Sequence, residues 1–322
     1  MTTESITGVT SDPTVHEVDE VLEAIRESGF GVIVAIGGGS VMDAAKAAAA
    51  VSGGDGDATD YLTADGPLPT GSRPVVAVPT TAGTGAELSK GAIVSWPERS
   101  MKGGVRGDRV APRAAVVDPS LTLTVPREHV SITGFDVFAH AVETFVSRKA
   151  TPITETWSRR AVTAVCDALP KALDDPESIE PRVMLSFHSM LMGYNLANAS
   201  TCLPHRMQYP LGVMTGTPHA WGLAALYPAW MEATRSASPG RFERVASWMA
   251  EGLGHGEGAG ADAVVELLGE FLENIDLTPD LSEAGVSEED CSELADRVGG
   301  TVENDPWWRE GRRLADIFAA SL

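Results

Sequence analysis

The stretch Gly31-Val-Ile-Val-Ala-Ile-Gly-Gly-Gly-Ser-Val-Met-Asp-Ala-Ala-Lys-Ala-Ala-Ala-Ala-Val51 contains the pattern that decides the fold. Its first six residues, 31–36, form a short apolar run rich in β-branched side chains, which predicts a fully buried strand. Gly37 to Ser40 predicts a tight turn, and the alanine-rich segment from Val41 to Val51 predicts a helix. A strand that turns directly into a helix is the unit from which parallel α/β sheets are built.

The segments on either side of this unit continue the alternation of helix and strand. Apolar residues at helical spacing between Val15 and Ser28 predict a helix with one buried face. Val75–Val78 predicts a second buried strand, and Ala114–Val117 is a third apolar run. We therefore predict a parallel-sheet, Rossmann-like α/β domain over residues 1–120.

The second part of the chain has a different character, because strand signals almost vanish after residue 121. Apolar residues recur at helical spacing in four long segments, which are 132–173, 183–199, 222–249 and 261–275. A glycine-rich stretch at 252–260 predicts a looser link between the last two segments. We predict an all-α domain over residues 121–322.

Composition excludes several classes of protein. A formal net charge of −21 argues against nucleic acid or an anionic membrane surface as a partner. No run of apolar residues is long enough for a membrane-spanning helix, and the N-terminus lacks a basic-then-apolar signal pattern. The chain has 3 cysteines, too few and too scattered for a disulfide framework or a CxxC metal site. We expect a protein of the reducing cytoplasm.

Two polar loops follow the predicted strands. The backbone N–H groups of a glycine turn such as Gly37–Ser40 can approach a pyrophosphate closely, and the helix N-terminus that follows favours negative charge. Thr80, Thr81 and Thr84 follow the second strand. Because ligands of open α/β sheets bind outside the carboxyl ends of the strands, both loops are expected to line one nucleotide site; a plain tight turn is the alternative for the glycines.

Four polar residues of the helical part could hold a divalent cation. Asp136 and His140 lie four apart in a predicted helix, a spacing that stacks them on one face, either as metal ligands or as a simple hydrogen-bonded pair. His205 and His219 lie in segments punctuated by Pro and Gly, which suggests a cavity. One or two of these histidines beside Asp136 and His140 would make an N/O site suited to Fe²⁺ or Zn²⁺.

The order and spacing of several short motifs resemble the iron-containing alcohol dehydrogenase family over nearly the whole chain. The motifs are Gly37-Gly-Gly-Ser-Val-Met-Asp-Ala-Ala-Lys46, Pro79-Thr-Thr-Ala-Gly-Thr-Gly-Ala-Glu87, Val117-Asp-Pro119, Thr133-Gly-Phe-Asp-Val-Phe-Ala-His-Ala-Val-Glu143, Tyr209-Pro-Leu-Gly212 and Pro218-His219. The resemblance implies a dinucleotide-binding α/β domain, a helical metal- and substrate-binding domain, and an active site in the cleft between them.

The resemblance also implies roles for the matching positions. The residues that would bind NAD or NADP are Gly37, Gly38, Gly39, Ser40, Asp43, Thr80, Thr81, Thr84 and Lys102, with Asp43 near the nicotinamide end. Asp136, His140 and His219 match three metal ligands of the family. We expect a fourth ligand of the family, a histidine, to be replaced by Tyr209, as in a subgroup with Tyr-Pro that includes hydroxyacid–oxoacid transhydrogenases. His205, one helical turn earlier, is then either a substitute ligand or a proton relay.

The start of the chain is a second departure from the family. Members normally begin with at least one further strand–helix unit before the helix expected at Val15–Ser28, and a βαβ unit takes roughly 30 residues or more. The resemblance therefore implies that the α/β domain is truncated at its start, or that the chain is a reduced variant with a weakened adenosine site.

These residues predict a metal-dependent, NAD(P)-linked dehydrogenase acting on a small alcohol or carbonyl compound, or on a hydroxy acid and its oxo acid. The cation would act as a Lewis acid, and His205, Tyr209 and Asp43 are the candidate catalytic residues. One alternative is hydroxyacid–oxoacid transhydrogenase, and another is an inactive paralogue with a binding or structural role. A homodimer is one assembly compatible with either enzyme.

Overall fold

The computed structural model describes residues 3–29, 31–62, 66–256, 258–309 and 312–322. The helices are α1 (Val15–Ser28), α2 (Gly39–Val51), α3 (Arg127–Val146), α4 (Pro152–Asp174), α5 (Ile179–Ala199), α6 (Leu203–Thr215), α7 (His219–Arg235), α8 (Pro239–Gly252), α9 (Val264–Asn274), α10 (Asp290–Asp296) and α11 (Ala315–Ala319). The strands are β1 (Ile33–Gly37), β2 (Val75–Pro79), β3 (Gly91–Trp96), β4 (Met101–Arg106) and β5 (Ala114–Ala115).

The contacts divide the chain into two compact units. The α/β unit comprises residues 1–80 and 86–118, and the helical unit comprises 81–85 and 119–322. The short segment 81–85, placed in the first domain by the sequence boundary at 120, thus packs with the helical unit. The predicted fold class, a parallel-sheet α/β part followed by a helical part, is confirmed.

The α/β unit contains a parallel sheet in the order β1-β2-β5, with Ile33 opposite Val75. Helix α2 covers one face of this sheet, where Met42 and Ala49 pack in a small apolar cluster with Ala35 and Val75. The other side of α2 packs in a second cluster with α1 and the β3–β4 hairpin. The many alanines of α2 allow close approach on both sides.

The prediction that 31–36 is a fully buried strand is wrong on two points. The strand starts at Ile33 and ends at Gly37, and only one of its faces is covered. Val34 and Ile36, which alternate with buried Ala35, remain 57% and 63% exposed. The reason is that α2 packs on the Ala35 face, whereas nothing in the described residues covers the opposite face of β1.

The sequence interpretation also missed the antiparallel hairpin β3–β4. Its turn, 97–100, begins with Pro97 and ends with Ser100 in the left-handed region (φ 46°). Ala92, Val94 and Val105 point into the cluster with α1 and α2. The short alternating run Gly91–Trp96 was a strand signal.

The helical unit is built around one continuous apolar cluster to which α3, α7, α8 and α9 all contribute. The predicted run 132–173 is two helices, because Thr151 caps a new helix that starts at Pro152. The run 222–249 is likewise divided before Pro239. In the predicted link 252–260, residue 257 lies outside the described part of the chain. No described helix is both long and apolar enough to cross a membrane.

Candidate active site

Helix α3 positions three acidic or imidazole side chains on one face of the helical unit. Asp136, His140 and Glu143 are spaced by four and three residues, so one turn of helix separates each from the next. All three side chains are buried. The spacing in α3 therefore places two carboxylates, those of Asp136 and Glu143, and the imidazole of His140 inside the apolar core.

Helices α6 and α7 bring two further histidines to the same place. The Oδ1 atom of Asp136 lies 3.5 Å from His140 Nε2, 3.7 Å from His205 Nε2 and 4.0 Å from His219 Nε2. His205 is in the first turn of α6, and His219 is the first residue of α7. Three imidazole nitrogens thus converge on one carboxylate oxygen.

Two central atoms of this cluster have no hydrogen bond among the described residues. Asp136 Oδ1 and His205 Nε2 are buried and accept or donate no hydrogen bond among the described residues. A buried polar atom without a partner costs about 1–3 kcal/mol, so native proteins rarely leave one unexplained. A divalent cation would satisfy both atoms, and Asp136, His140 and His205 can each offer one ligand atom within 4.8 Å of the others. The residues present therefore fit a metal ion of the Fe²⁺ or Zn²⁺ kind.

Two neighbouring side chains, which the sequence interpretation missed, hold the outer nitrogens of these histidines. His205 Nδ1 lies 2.6 Å from Glu143 Oε1, and His219 Nδ1 lies 2.5 Å from Gln208 Oε1. Both partners are fully buried. Glu143 was detectable from its position three residues after His140, whereas Gln208 gave no signal beyond its place in the His205 helix.

Burial and charge shift the acid–base behaviour of the cluster in opposite directions. Burial would lower the pKa of His205, but the carboxylates of Glu143 and Asp136 raise that pKa to about 10. Burial would raise the pKa of Asp136, but the surrounding imidazoles hold it well below its usual range. The pKa of His140 is lowered, chiefly by burial. A cation and a proton therefore compete for His205 Nε2.

Tyr209 lies one turn after His205 in α6 and makes different contacts. Its ring centroid is 6.4 Å from that of His219, and Arg206 donates a hydrogen bond of 3.5 Å to its hydroxyl. The segment around Tyr209 is helical. The alternative in which His205 replaces the missing ligand requires such a helix. The structure thus brings His205 to within 3.7 Å of Asp136.

In the α/β unit, the glycine turn joins β1 to the N-terminus of α2. Gly37 ends the strand, and Gly38 is the N-cap of the helix, where it offers no side chain to the first-turn N–H groups. A Cβ at Gly37 would lie 2.6 Å from Val41 Cγ2, so any other residue there would force the Val41 side chain to shift. The turn fits an anionic group placed at a helix N-terminus. Thr80 is next to it, since its backbone N–H donates to Gly37 O at 2.9 Å.

Ser40 and Lys102 are connected through Asp12, another residue that the sequence interpretation missed. The Asp12 N–H donates to Ser40 Oγ at 3.1 Å, and Asp12 Oδ2 lies 2.8 Å from Lys102 Nζ. Asp12 has a positive φ of 58°, which is tolerated by aspartate. Two of the predicted cofactor residues therefore belong to one cluster of the α/β unit.

Asp43, Thr81 and Thr84 have other surroundings. Both carboxylate oxygens of Asp43 are used inside the α/β unit: Oδ1 lies 3.2 Å from Lys46 Nζ, and Oδ2 accepts from Ile93 N at 2.9 Å. Burial raises the pKa of Asp43. Thr81 and Thr84 belong to the segment 81–85, which is tied to α5 because Gly83 N donates to Ser189 Oγ at 2.9 Å.

The α/β unit carries a glycine turn at a helix N-terminus, and the helical unit carries a buried cluster of carboxylate and imidazole groups that fits a divalent cation; a dehydrogenase is a class of protein with which both features accord. The family description "iron-containing alcohol dehydrogenase" matches residues 1–119, and that of the C-terminal part of this family matches residues 130–306. The chain belongs to the iron-containing alcohol dehydrogenase family.

Several relatives match most of the chain. It is 30% identical to the NAD-dependent methanol dehydrogenase of Bacillus methanolicus over 88% of the chain and 74% of the relative. It is 29% identical to the mitochondrial hydroxyacid-oxoacid transhydrogenase of Bos taurus over 97% of the chain and 76% of the relative. Among solved structures, an archaeal halo-thermophilic alcohol dehydrogenase from a Red Sea brine pool is 28% identical, with a TM-score of 0.92 over 98% of this chain and 83% of that one.

Proposed function

We propose that this chain is a metal-dependent dehydrogenase that transfers hydride between NAD(P) and a small alcohol or hydroxy acid and the matching carbonyl compound. The observation that carries the proposal is the convergence of three imidazole nitrogens on the buried Oδ1 of Asp136, an oxygen that accepts no hydrogen bond from the described residues. A structural cluster would have satisfied this oxygen with a donor. In a cation-binding cluster the ion takes the place of that donor.

The ligand set is Asp136, His140, His205 and His219. His205 takes the fourth place because its Nε2 faces the cluster, whereas a neutral phenol with a reference pKa near 10 is a poor ligand beside imidazole. Fe²⁺ is proposed from the family, and Zn²⁺ suits the same donors. The ion, when bound, supplies Lewis acidity toward the substrate oxygen.

The NAD(P) pyrophosphate is assigned to the turn Gly37–Ser40 at the N-terminus of α2, with Lys102 as a cationic partner and Thr80, Thr81 and Thr84 as further contacts. NAD(P) supplies the hydride acceptor or donor. NAD is favoured over NADP because a relative 30% identical is named as NAD-dependent. Asp43 is proposed to lie near the nicotinamide end of the cofactor. Its contacts with Lys46 and Ile93 give it a structural role in addition.

Tyr209 is the proposed proton donor or relay, since His205 is used as a ligand. A phenol donates a hydrogen bond to a substrate oxygen or carboxylate, and Arg206 lies beside it, donating to its hydroxyl at 3.5 Å. The pair Tyr209-Pro210 supports membership of a Tyr-Pro subgroup. Tyr209→Phe is expected to retain metal and lose turnover.

Hydroxyacid–oxoacid transhydrogenase is the second candidate function. It is supported by the relative from Bos taurus, which is 29% identical over 97% of this chain. In that reaction hydride passes between the two acids through cofactor that stays bound. Turnover without added NAD(P), when both acids are supplied, would favour it.

The proposed setting of the enzyme is the reducing cytoplasm. The three cysteines are buried and unpaired, which accords with a reducing cytoplasm. A net charge of −21 supports a small-molecule substrate over nucleic acid or an anionic membrane. A homodimer can be checked by light scattering.

The test of the proposed function removes one ligand at a time. His140→Ala and His219→Ala are expected to lose bound metal and most activity while helical content by circular dichroism stays unchanged. The matched control is His188→Ala, since His188 is also buried in a helix, and its hydrogen bond among the described residues goes to Met184 O, at 2.8 Å, outside the cluster. Full metal occupancy in the His140 variant would contradict the ligand set. Failure of the wild type to bind NADH in a fluorescence titration would favour the inactive paralogue.

A further inference from the structure

Glu143 has no exposed surface, and each of its carboxylate oxygens has a separate partner on one helix. Oε1 lies 2.6 Å from His205 Nδ1, and Oε2 accepts from the backbone N–H of Cys202 at 2.8 Å. Cys202 is the N-cap of α6, and His205 lies in the first turn of that helix. The carboxylate is therefore fixed at both ends.

This arrangement decides which nitrogen of His205 faces the cluster. A carboxylate without a proton only accepts hydrogen bonds, so His205 Nδ1 must carry its hydrogen and donate it to Glu143. The ring is thereby oriented with Nε2 toward Asp136 Oδ1, 3.7 Å away. Nε2 has no hydrogen-bond partner among the described residues and is the nitrogen left to bind a cation.

We propose that Glu143 is a positioning residue of the metal centre: it holds His205 in the orientation and tautomer in which Nε2 is a ligand. The inference rests on the proposed function, since it takes His205 as a metal ligand. Carboxylate partners of ligand histidines fix the ring and raise the basicity of its ligating nitrogen. Removing such a partner costs roughly 10- to 100-fold in metal affinity.

The two separate partners make glutamine an informative substitution. Glu143→Gln keeps the size of the side chain but offers one acceptor oxygen and one NH₂ donor. The N–H of Cys202 needs the acceptor, so the NH₂ group is left to face His205 Nδ1. His205 then has to accept at Nδ1 and carry its hydrogen on Nε2, which blocks the ligating nitrogen.

A matched control distinguishes the positioning of His205 from a purely structural role, in which Glu143 only caps the start of α6. Asp305 is also fully buried, and its Oδ2 accepts from Leu203 N at 3.1 Å and from Trp230 Nε1 at 2.8 Å. Asp305→Asn therefore disturbs the same end of α6 and bonds to no histidine of the cluster. A structural role predicts equal effects of Glu143→Gln and Asp305→Asn on metal affinity.

The experiment titrates metal-free full-length proteins with Co²⁺ by calorimetry, so that turnover is not the readout. Glu143→Gln is expected to bind Co²⁺ roughly 10- to 100-fold more weakly than wild type, and Asp305→Asn as wild type does. Equal affinity of Glu143→Gln and wild type would overturn the inference, as would equal losses in the two variants. His205→Ala distinguishes failure of this inference from failure of the proposed function. Wild-type affinity in this variant would overturn the ligand set itself, and the inference with it.

A measurement on the wild type keeps the inference testable if Glu143→Gln does not fold. In the Zn²⁺-loaded protein with ¹⁵N-labelled histidine, the His205 ring should show a protonated Nδ1 protected from exchange and a metal-bound Nε2. A ring bound through Nδ1 would overturn the role of Glu143. Protonation at Nδ1 with metal at Nε2 supports it.

Discussion

The two units bury their apolar side chains in different ways. In the helical unit, one continuous cluster includes the aromatic rings of Phe135, Phe138 and Phe271. In the α/β unit, the buried residues form two smaller clusters on either side of the alanine-rich helix α2. One face of strand β1 remains exposed. The difference indicates that apolar packing stabilises the helical unit more than the α/β unit, which has fewer apolar contacts.

The two units also treat buried charge differently. In the α/β unit, Lys46 is fully buried and has three partners: Asp43, the carbonyl oxygen of Ala86 at 2.9 Å, and Ser89 Oγ at 2.9 Å. In the helical unit, buried Asp136 has an oxygen that accepts no hydrogen bond from the part of the chain that the structure describes. A satisfied buried charge holds elements together, while an unsatisfied one marks a place where a ligand can bind.

The largest effect is expected from truncating an aromatic residue of the helical core. Phe138 is fully buried between Phe271, whose ring centroid is 5.0 Å away, and Phe135 at 5.8 Å. Phe138→Ala should lower the free energy of unfolding by about 3–5 kcal/mol, because it leaves a cavity. Val94→Ala in the α/β unit, also fully buried, should cost about 2 kcal/mol. Urea denaturation followed by circular dichroism checks both, and a loss below about 2 kcal/mol for Phe138→Ala would contradict tight packing of the helical core.

The next effect concerns the buried lysine. Lys46→Met removes the cation but leaves the Asp43 carboxylate, the Ala86 carbonyl and the Ser89 hydroxyl without their donor. We expect a loss of about 2–3 kcal/mol, below the usual range for a broken buried pair, because the Asp43 side chain is 17% exposed.

A double variant separates charge from packing at this site. Asp43→Asn removes the isolated charge and keeps an acceptor for Ile93 N, so Lys46→Met with Asp43→Asn should recover part of the loss. Thermal denaturation of both variants measures the recovery. No recovery would mean that the ion pair contributes little and that Lys46 acts through its other two contacts.

The sequence predicted well the features that depend on local periodicity. It predicted less well the features that depend on contacts between distant elements. Helix α1 starts at Val15 and ends at Ser28 as predicted, because its apolar spacing and its cap are properties of one segment. The exposure of Ile36 was not predictable, since burial of a strand face depends on what packs against it. Asp136 and His140 could be paired from their spacing, and the family assignment is confirmed. The place of Glu143 on the His140 face of α3 could be predicted from its spacing, but its pairing with His205, 62 residues away, could not.

The smallest effect on stability is expected for a substitution on the exposed face of β1. It gives the sharpest test of whether the α/β unit is packed on one side of its sheet only. Val34→Thr and Val75→Thr make the same substitution on adjacent strands, at positions that are 57% and 3% exposed. Threonine has nearly the same shape as valine and retains a β-branched side chain, so the two variants differ chiefly in whether the new hydroxyl meets water. Val75→Thr should cost about 1–3 kcal/mol, because its hydroxyl is buried against α2. Val34→Thr should change stability by at most about 0.5 kcal/mol. If Val34→Thr costs as much as Val75→Thr, this face of the sheet is covered in solution, and the α/β unit is packed on both sides after all.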